Sequence, residues 1–269
     1  MRLATFTIAG DGAPRAGEVR GDQIVAFASG TVLDRLASGD RTPADGETHA
    51  LADVRLLAPV SRPRAIFGIG LNYADHAAET GREQPQAPIV FMKLPSSSAA
   101  PNDELHVPAV IRRLDYEGEL AVVMGAGGEV AGYAVADDVS ARDLQGREPQ
   151  WTRAKGFDAS CPWGPWITTA DELGGTGETP ILAVRTWVNG EQRQDGTTRN
   201  LIFDVQQVVA FIAETCTFEP GDLILTGTPA GVGMAMDPAR FLEPGDVVRI
   251  EIEGLGAIEH AIGAPLPAR

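Results

Sequence analysis

The chain has 269 residues, of which 43% are hydrophobic, so it is long enough to bury a core without disulfide or metal staples. Its 22 basic and 37 acidic residues give a formal net charge of −15, which repels nucleic acid and anionic membrane surfaces and argues against binding to either. Two cysteines can form at most one bridge, and no apolar run resembles a secretion signal or a membrane-spanning helix. We therefore expect a protein of the reducing cytoplasm.

The first 58 residues have the pattern of short strands and turns followed by one short helix. The runs ATFTIAG and QIVAF, on either side of a GDGAPR turn, predict a hairpin, and TVLDRLASGD predicts the helix. Prolines and arginines between residues 59 and 64 mark a boundary. We predict a small N-terminal α+β domain at 1–58 and a catalytic domain at 59–269.

Beyond this boundary, strand-like runs recur, and turn residues separate nearly all of them. The runs are PIVFMK, GELAVVMG, GYAVADDV, AVRTWVNG, LILTG and VVRIEIEG. The clearest helix begins after Asp204, a predicted N-cap with Gln207 three residues later, and it carries one apolar face. The pattern predicts a mostly β fold with peripheral helices.

Acidic residues cluster at the ends of two of these predicted strands. Glu117 and Glu119 in LDYEGEL are two residues apart, so on a strand both carboxylates project from the same face. Asp137 and Asp138 end the next strand, before Ser140, which we predict to cap a following helix with Asp143 at the capping-box position. Three carboxylates make an oxygen site suited to Mg²⁺ or Mn²⁺, and the absence of His and Cys clusters disfavours zinc. The alternative is a solvated acidic strand.

A short helix predicted over residues 72–81 carries His76 and Glu79, whose spacing places both side chains on one helix face. A carboxylate there can orient the imidazole, and a two-turn helix is short enough to act as a lid. A surface ion pair is the alternative interpretation. The nearby Gly68 and Gly70 do not indicate a dinucleotide site, because the third glycine and the βαβ unit are missing.

Two further segments can contribute to a site. The glycine-rich stretch LTGTPAGVG at 225–233 allows backbone amides and Thr228 to approach a carboxylate, although an ordinary glycine turn is as consistent with it. The chain has 20 arginines but only two lysines, Lys93 and Lys155, which are therefore candidates for positions that need a compact ammonium group. Structural packing is the alternative for Lys155, because aromatic residues, prolines and glycines surround it.

Taken in order, these segments resemble the fumarylacetoacetate hydrolase family from about Phe67 to about Ile252. The matching blocks are GLNYADHAAE, PIVFMK, LDYEGELAVVMG, DDVSARDLQ, WTRAKGFDASCP, VNGEQRQDGTT, LIFDV and PGDLILTGTPAGVG. The resemblance implies a mixed β-roll core, assembly as a homodimer, and Mg²⁺ or Mn²⁺ held by Glu117, Glu119 and Asp138.

The resemblance also implies roles for other residues of the site. His76 and Glu79 would form a catalytic dyad on a lid, and Lys155 would assist catalysis. The implied substrate contacts are Lys93, Arg142, Gln145, Lys155 and Thr228.

These parts suit a small 2-oxo acid as the substrate. The metal would chelate its carboxylate and 2-oxo oxygen and stabilise a pyruvate enolate, while His76, oriented by Glu79, would activate a water that attacks a second carbonyl. We therefore predict a divalent-metal-dependent hydrolase that cleaves a C–C bond in acylpyruvate-type 2,4-dioxo acids. The alternatives are an oxaloacetate-type decarboxylase or 2-hydroxydiene-dioate isomerase of aromatic or sugar-acid catabolism, and a non-catalytic relative that binds a 2-oxo acid.

Overall fold

The computed structural model describes residues 1–10, 12–175 and 178–267. The strands, in chain order, are β1 (Arg2–Ile8), β2 (Arg15–Arg20), β3 (Gln23–Ala26), β4 (Thr48–Ala50), β5 (Val54–Leu57), β6 (Ile66–Gly70), β7 (Ile89–Lys93), β8 (Ser98–Ala99), β9 (Leu114–Asp115), β10 (Gly118–Met124), β11 (Val130–Asp137), β12 (Ser140–Ala141), β13 (Cys161–Thr169), β14 (Ala183–Val188), β15 (Glu191–Thr197), β16 (Leu223–Leu225), β17 (Val247–Ile252) and β18 (Gly256–Ala261). The α-helices are α1 (Val32–Ser38), α2 (Ala74–Glu79), α3 (Arg142–Gln145), α4 (Thr152–Lys155) and α5 (Val205–Ala213).

Most strands join one large mixed sheet. Its order is β4-β3-β2-β1-β13-β11-β10-β16-β6-β7, with β5 beside β1 and β8 beside β13. Strands β16 and β6 run parallel, whereas β10 is antiparallel to both of its neighbours. A four-stranded sheet, β15-β14-β17-β18, and the short pair β12-β9 complete the fold. The predicted mostly β architecture, a mixed β-roll with peripheral helices, is confirmed.

Strand β10 lies between two apolar layers, and all seven of its residues are buried. Leu120 and Val122 belong to the cluster that includes Ile250 of the four-stranded sheet, and Ala121 and Val123 belong to the cluster on the opposite face. Alternate side chains of a strand point to opposite faces, so this strand is packed from both sides. The beginning of β10 is therefore a rigid place for functional groups.

The N-terminal segment continues the same sheet. Strand β1 pairs with β13 in an antiparallel register that places Arg2 opposite Thr168 and Leu3 opposite Ile167. The predicted two-stranded hairpin is wrong, because RAGEVR forms β2 between the two predicted strands and pairs with both of them. The predicted helix is confirmed as α1, with a capping box at Thr31. The domain boundary at residue 58 stays a prediction.

The predicted helix caps have different outcomes. Asp204 accepts from the Gln207 backbone amide in a capping box at the start of α5, as expected. Ser140 does not cap a helix, because it lies in β12 and its hydroxyl donates to the Asp138 carbonyl. Helix α3 instead begins one residue later, after Ala141, whose side chain has no acceptor to cap it. The Asp143 carboxylate accepts from the Arg112 amide. Within the three described ranges, no helix has the length and apolar character needed to cross a membrane.

Candidate active site

The register of β10 and β11 assembles the acidic cluster. These strands are antiparallel with Gly118 opposite Asp137, so the start of one and the end of the other meet. The Asp138 amide donates to the Glu117 carbonyl at 2.9 Å, which continues the ladder by one pair. One oxygen each from Glu117, Glu119 and Asp138 lies within 4.8 Å of the others, and all three residues are buried. Three buried carboxylates at this spacing fit a hard divalent cation.

The other aspartate of the pair has a structural role. One Asp137 oxygen accepts from the Glu117 amide at 2.8 Å, and the other lies 2.9 Å from the His260 imidazole. Both Asp137 and His260 are buried. Position 118, between the two glutamates, requires glycine because a Cβ there would overlap the Thr186 hydroxyl. The backbone around Glu117 is therefore fixed from both sides.

Three basic side chains balance the acidic cluster. The Lys155 ammonium lies 2.6 Å from a Glu117 oxygen and 2.7 Å from an Asp138 oxygen. Lys93 lies 2.7 Å from the other Asp138 oxygen and donates to the Lys155 carbonyl. Arg142 contacts Glu117 at 2.6 Å. The two lysines of the chain thus lie together, and Lys93, which is 1% exposed, supports Asp138 and Lys155; its predicted contact with substrate stays a prediction.

Burial and neighbouring charges shift the pKa values in opposite directions. Burial would raise the pKa of Glu117, but the charges of Lys155 and Arg142 outweigh it and hold the pKa below the usual range. Glu119 has a pKa well above its usual value because it is buried and faces Asp138 and Glu117. Burial would lower the pKa of Lys155, yet the carboxylates around it raise the pKa. Ionisation of Glu119 is therefore unfavourable, and a bound cation would favour it.

Arg142 has one side-chain donor without a partner. Its Nε donates to Asp115 at 2.8 Å and its Nη1 to the Gln145 side chain at 3.0 Å. Its Nη2 is buried and has no hydrogen-bond partner among the described residues. Buried N–H groups are rarely left unpaired, so Nη2 is suited to an acceptor oxygen of a ligand. Arg142 and Gln145 line the same cavity, as the predicted substrate contacts require.

His76 and Glu79 form the predicted pair on α2. The His76 Nδ1 lies 2.7 Å from one Glu79 oxygen, and the Gly231 amide donates to the other oxygen at 2.8 Å. A carboxylate partner favours the proton on Nδ1 and leaves Nε2 free to accept a proton. His76 is 7% exposed and lines the cavity that Glu117 and Glu119 also line. The surface-pair alternative therefore does not apply.

The glycine-rich loop binds carboxylates of the chain itself. The Gly227 amide donates to Glu119 at 2.6 Å, in addition to the contact between Gly231 and Glu79. The Thr228 hydroxyl donates to the Gly118 carbonyl and accepts from Gln194. Both hydroxyl functions of Thr228 are thus engaged within the protein, and its predicted substrate contact stays a prediction.

The cavity has a volume of about 190 Å³ and an aromatic wall. The rings of Phe91 and Trp151 meet edge to face, with centroids 5.4 Å apart. A Cβ at Gly68 would overlap the Phe91 ring, and one at Gly70 would lie 2.7 Å from Trp151. Glycine at these two positions therefore makes room for the aromatic wall. This steric role accounts for the pair of glycines without a dinucleotide site.

Arg82, Phe91 and Trp151 line the cavity although the sequence did not predict them. Asp115 and Gln194, which bind Arg142 and Thr228, were not predicted either. Asp115 accepts from Arg142 and from the amides of Gly233 and Met234, which joins Arg142 to the loop after residue 231. Its position two residues before Glu117 continues the strand alternation and was a usable signal. No comparable sequence signal marks Arg82, which lines the cavity from the segment after α2.

The family model "Fumarylacetoacetate (FAA) hydrolase C-terminal" matches residues 65–263, and the model "Rv2993c-like, N-terminal" matches residues 1–59. The chain belongs to the fumarylacetoacetate hydrolase family. Human oxaloacetate tautomerase FAHD2A, a mitochondrial protein, is 42% identical over 223 residues, which cover 78% of this chain and 70% of the human protein. The resemblance inferred from the sequence is confirmed.

Solved structures support the same assignment. Fumarylacetoacetate hydrolase from Exiguobacterium antarcticum is 36% identical with a TM-score of 0.87, and the match covers 98% of this chain and 99% of that chain. A 5-carboxymethyl-2-hydroxymuconate delta-isomerase from Mycobacterium smegmatis is 34% identical with a TM-score of 0.81, covering 98% and 100%. These relatives are named as a hydrolase, an isomerase and a tautomerase, so membership of the family leaves the reaction open.

Proposed function

We propose that the protein is a divalent-metal-dependent hydrolase of acylpyruvate-type 2,4-dioxo acids, producing pyruvate and a second carboxylic acid. The observation that carries this proposal is the position of the dyad of His76 and Glu79 on the same cavity as the acidic cluster. A reaction that uses water as the nucleophile needs such a base beside the electrophilic centre.

Glu117, Glu119 and Asp138 would hold Mg²⁺ or Mn²⁺, since they supply oxygen ligands alone. When bound, the ion supplies Lewis acidity towards the negative charge that develops on the substrate oxygens. The raised pKa of Glu119 supports this proposal, because buried like charges require a cation to ionise together.

Arg142 and Gln145 would bind the carboxylate of the 2-oxo acid. The buried Nη2 of Arg142 supplies a charged donor, and its other nitrogens are held by Asp115 and Gln145. A guanidinium that is fixed in this way loses little conformational freedom when it binds the substrate. Lys155, which is charged and buried, would stabilise the anion that forms and assist its protonation.

His76 would accept a proton from water at Nε2 while Glu79 holds the imidazole through Nδ1. The water oxygen then attacks the acyl carbonyl carbon, and the bond between that carbon and the methylene carbon of the pyruvate unit breaks. The electron pair passes to the pyruvate unit, which takes up a proton. The balance is one substrate and one water giving pyruvate and one carboxylic acid.

A second candidate function is the tautomerisation or decarboxylation of an oxaloacetate-type acid. It is favoured by the relatives named as oxaloacetate tautomerases, at 42% identity in human and 40% in Xenopus laevis. These reactions use the same anion stabilisation but no attacking water. His76 therefore distinguishes hydrolysis from decarboxylation, whereas the products distinguish hydrolysis from tautomerisation, which also needs a proton transfer.

The test is turnover of acetylpyruvate, oxaloacetate and a 2-hydroxydienoate with Mg²⁺ or Mn²⁺, with products identified by mass. We expect pyruvate and acetate from acetylpyruvate, and a loss of about 10²-fold or more in His76→Ala, with a smaller effect on oxaloacetate. His106→Ala is the matched control, because this histidine pairs with Glu104 away from the dyad. Rapid oxaloacetate turnover with no acetylpyruvate cleavage by the wild type would establish the second candidate instead.

A further inference from the structure

We propose that Arg82 is a specificity-determining residue that binds an anionic group at the end of the substrate remote from its 2-oxo acid. This inference rests on the proposed function, because it assigns the inner part of the cavity to the 2-oxo acid. It adds a substrate preference that the acidic cluster and the dyad do not determine.

Arg82 differs from the other cations of this cavity in its partners. Lys155 and Arg142 both contact Glu117, so their charges are matched by carboxylates of the chain. The Arg82 side chain is exposed, lines the cavity, and forms no ion pair with any residue in the described parts of the chain. An unmatched guanidinium in a cavity of a protein with a net charge of −15 is suited to an anionic ligand.

The backbone of Arg82 is hydrogen-bonded to α2. Its amide donates to the Ala77 carbonyl at 2.9 Å, after Gly81, whose φ of 65° turns the chain at the end of α2. Arg82 therefore follows the helix that carries His76, and ordering of this helix would also position the guanidinium. A substrate anion bound by Arg82 would favour the ordered lid.

The rest of the cavity is consistent with an apolar substrate segment between two polar ends. The edge-to-face rings of Phe91 and Trp151, together with Ile69 and Leu71, line the same cavity as Arg82 and Arg142. Apolar walls can pack against a carbon chain, and the two guanidinium groups can donate hydrogen bonds to carboxylates. The cavity is thus suited to a small dicarboxylic 2-oxo acid.

A binding experiment tests the inference without relying on turnover. The ligands are 2-oxoglutarate and 2-oxopentanoate, which have the same number of carbons and differ in the terminal carboxylate. Calorimetry with Mg²⁺ present should show tighter binding of 2-oxoglutarate to the wild type. Arg82→Ala should weaken the binding of 2-oxoglutarate roughly 10- to 100-fold, the scale of a hydrogen bond between charged groups. It should leave the affinity for 2-oxopentanoate unchanged. Arg82→Lys should restore part of the loss.

The control is Arg147→Ala, which removes the same charge next to Gly146, a residue of the cavity lining. Arg147 is exposed and lies 3.5 Å from Glu148, so its loss should change the affinity for neither ligand. Equal weakening of both ligands by Arg82→Ala, or an equal effect of Arg147→Ala on 2-oxoglutarate, would overturn the inference. Failure of the proposed function is seen separately, as absent acetylpyruvate cleavage by the wild type.

Discussion

Glu119 is a predicted metal ligand whose burial opposes folding. It is buried beside two other carboxylates, and its raised pKa records that repulsion. The Gly227 amide is its hydrogen-bond donor, and a glutamine side chain can accept the same bond. Replacing the carboxylate by an amide removes the buried charge while preserving the shape.

We therefore expect Glu119→Gln to raise the free energy of unfolding of the metal-free protein by about 1 kcal/mol. The same substitution should abolish both turnover and the stabilisation that Mg²⁺ gives to the wild type. Thermal unfolding with chelator and with Mg²⁺ measures both effects, and exposed Glu47→Gln serves as the control. A variant that retains full Mg²⁺-dependent activity would show that Glu119 is not a ligand.

The residues of the acidic cluster could be predicted only in part from the sequence. Strand alternation predicts that Glu117 and Glu119 share a face, and the structure brings both to the cluster. The residue pattern alone could not choose between Asp137 and Asp138, because the choice depends on the register of β10 against β11. The family resemblance supplied Asp138. No sequence pattern marks an exposed residue such as Arg82, since its place in the cavity follows from how the chain folds after α2.

At the scale of elements, α2 is held by tertiary contacts on both of its sides. The buried Asn72 side chain donates to the carbonyls of Phe203 and Thr226 and accepts from the Phe203 amide. Tyr73, at the N-cap position, provides no side-chain cap, and Glu79 connects the helix to Gly231. A two-turn helix gains its stability mainly from such tertiary contacts.

We predict that the amides of residues 74–81 exchange rapidly in the free protein and slow down when oxalate and Mg²⁺ bind. The anchored amide of Ile202, which donates to the Asn72 carbonyl, should stay protected in both states. Hydrogen exchange followed by mass spectrometry measures this difference. Unchanged exchange over 74–81 at saturating oxalate would identify α2 as a static structural helix.

The sequence predicted elements well where the local signal and the tertiary environment agree. The capping box at Asp204 and the apolar face of α5 are both local, and both are confirmed. Strand β2 was missed because RAGEVR lacks a run of apolar residues and is held by pairing with β1 and β3 on its two sides. The predicted start of helix α3 is wrong because Ser140 pairs in β12, and Asp143 accepts a hydrogen bond from outside the helix.

At the scale of the molecule, an apolar surface supports the expected homodimer, which stays a prediction. Strand β7 is at the edge of the large sheet, and Ile89, Val90 and Met92 on it are exposed. Leu94 and Val110 extend this surface along a groove of about 480 Å³. Exposed edge strands with apolar side chains promote association.

We expect twice the monomer mass of 28.4 kDa in light scattering, and a shift towards the monomer in a Met92→Lys, Val110→Asp double variant. Arg185→Asp, on the four-stranded sheet, is the charge control. A monomer in the wild type at micromolar concentration would contradict the prediction.

The pairing of β1 with β13 has a consequence for folding. Two family models divide the chain near residue 60, yet the sheet crosses that division through backbone hydrogen bonds. Removing residues 1–59 would leave the β13 edge unpaired and uncover Trp163 and Ile167, which pack in the same apolar cluster as Leu3. The two segments should therefore melt in a single calorimetric transition, and a protein that starts at residue 60 should aggregate. The N-terminal segment should therefore unfold together with the rest of the chain. Replacing it by another N-terminal segment would require a strand that pairs with β13 and packs on Trp163 and Ile167.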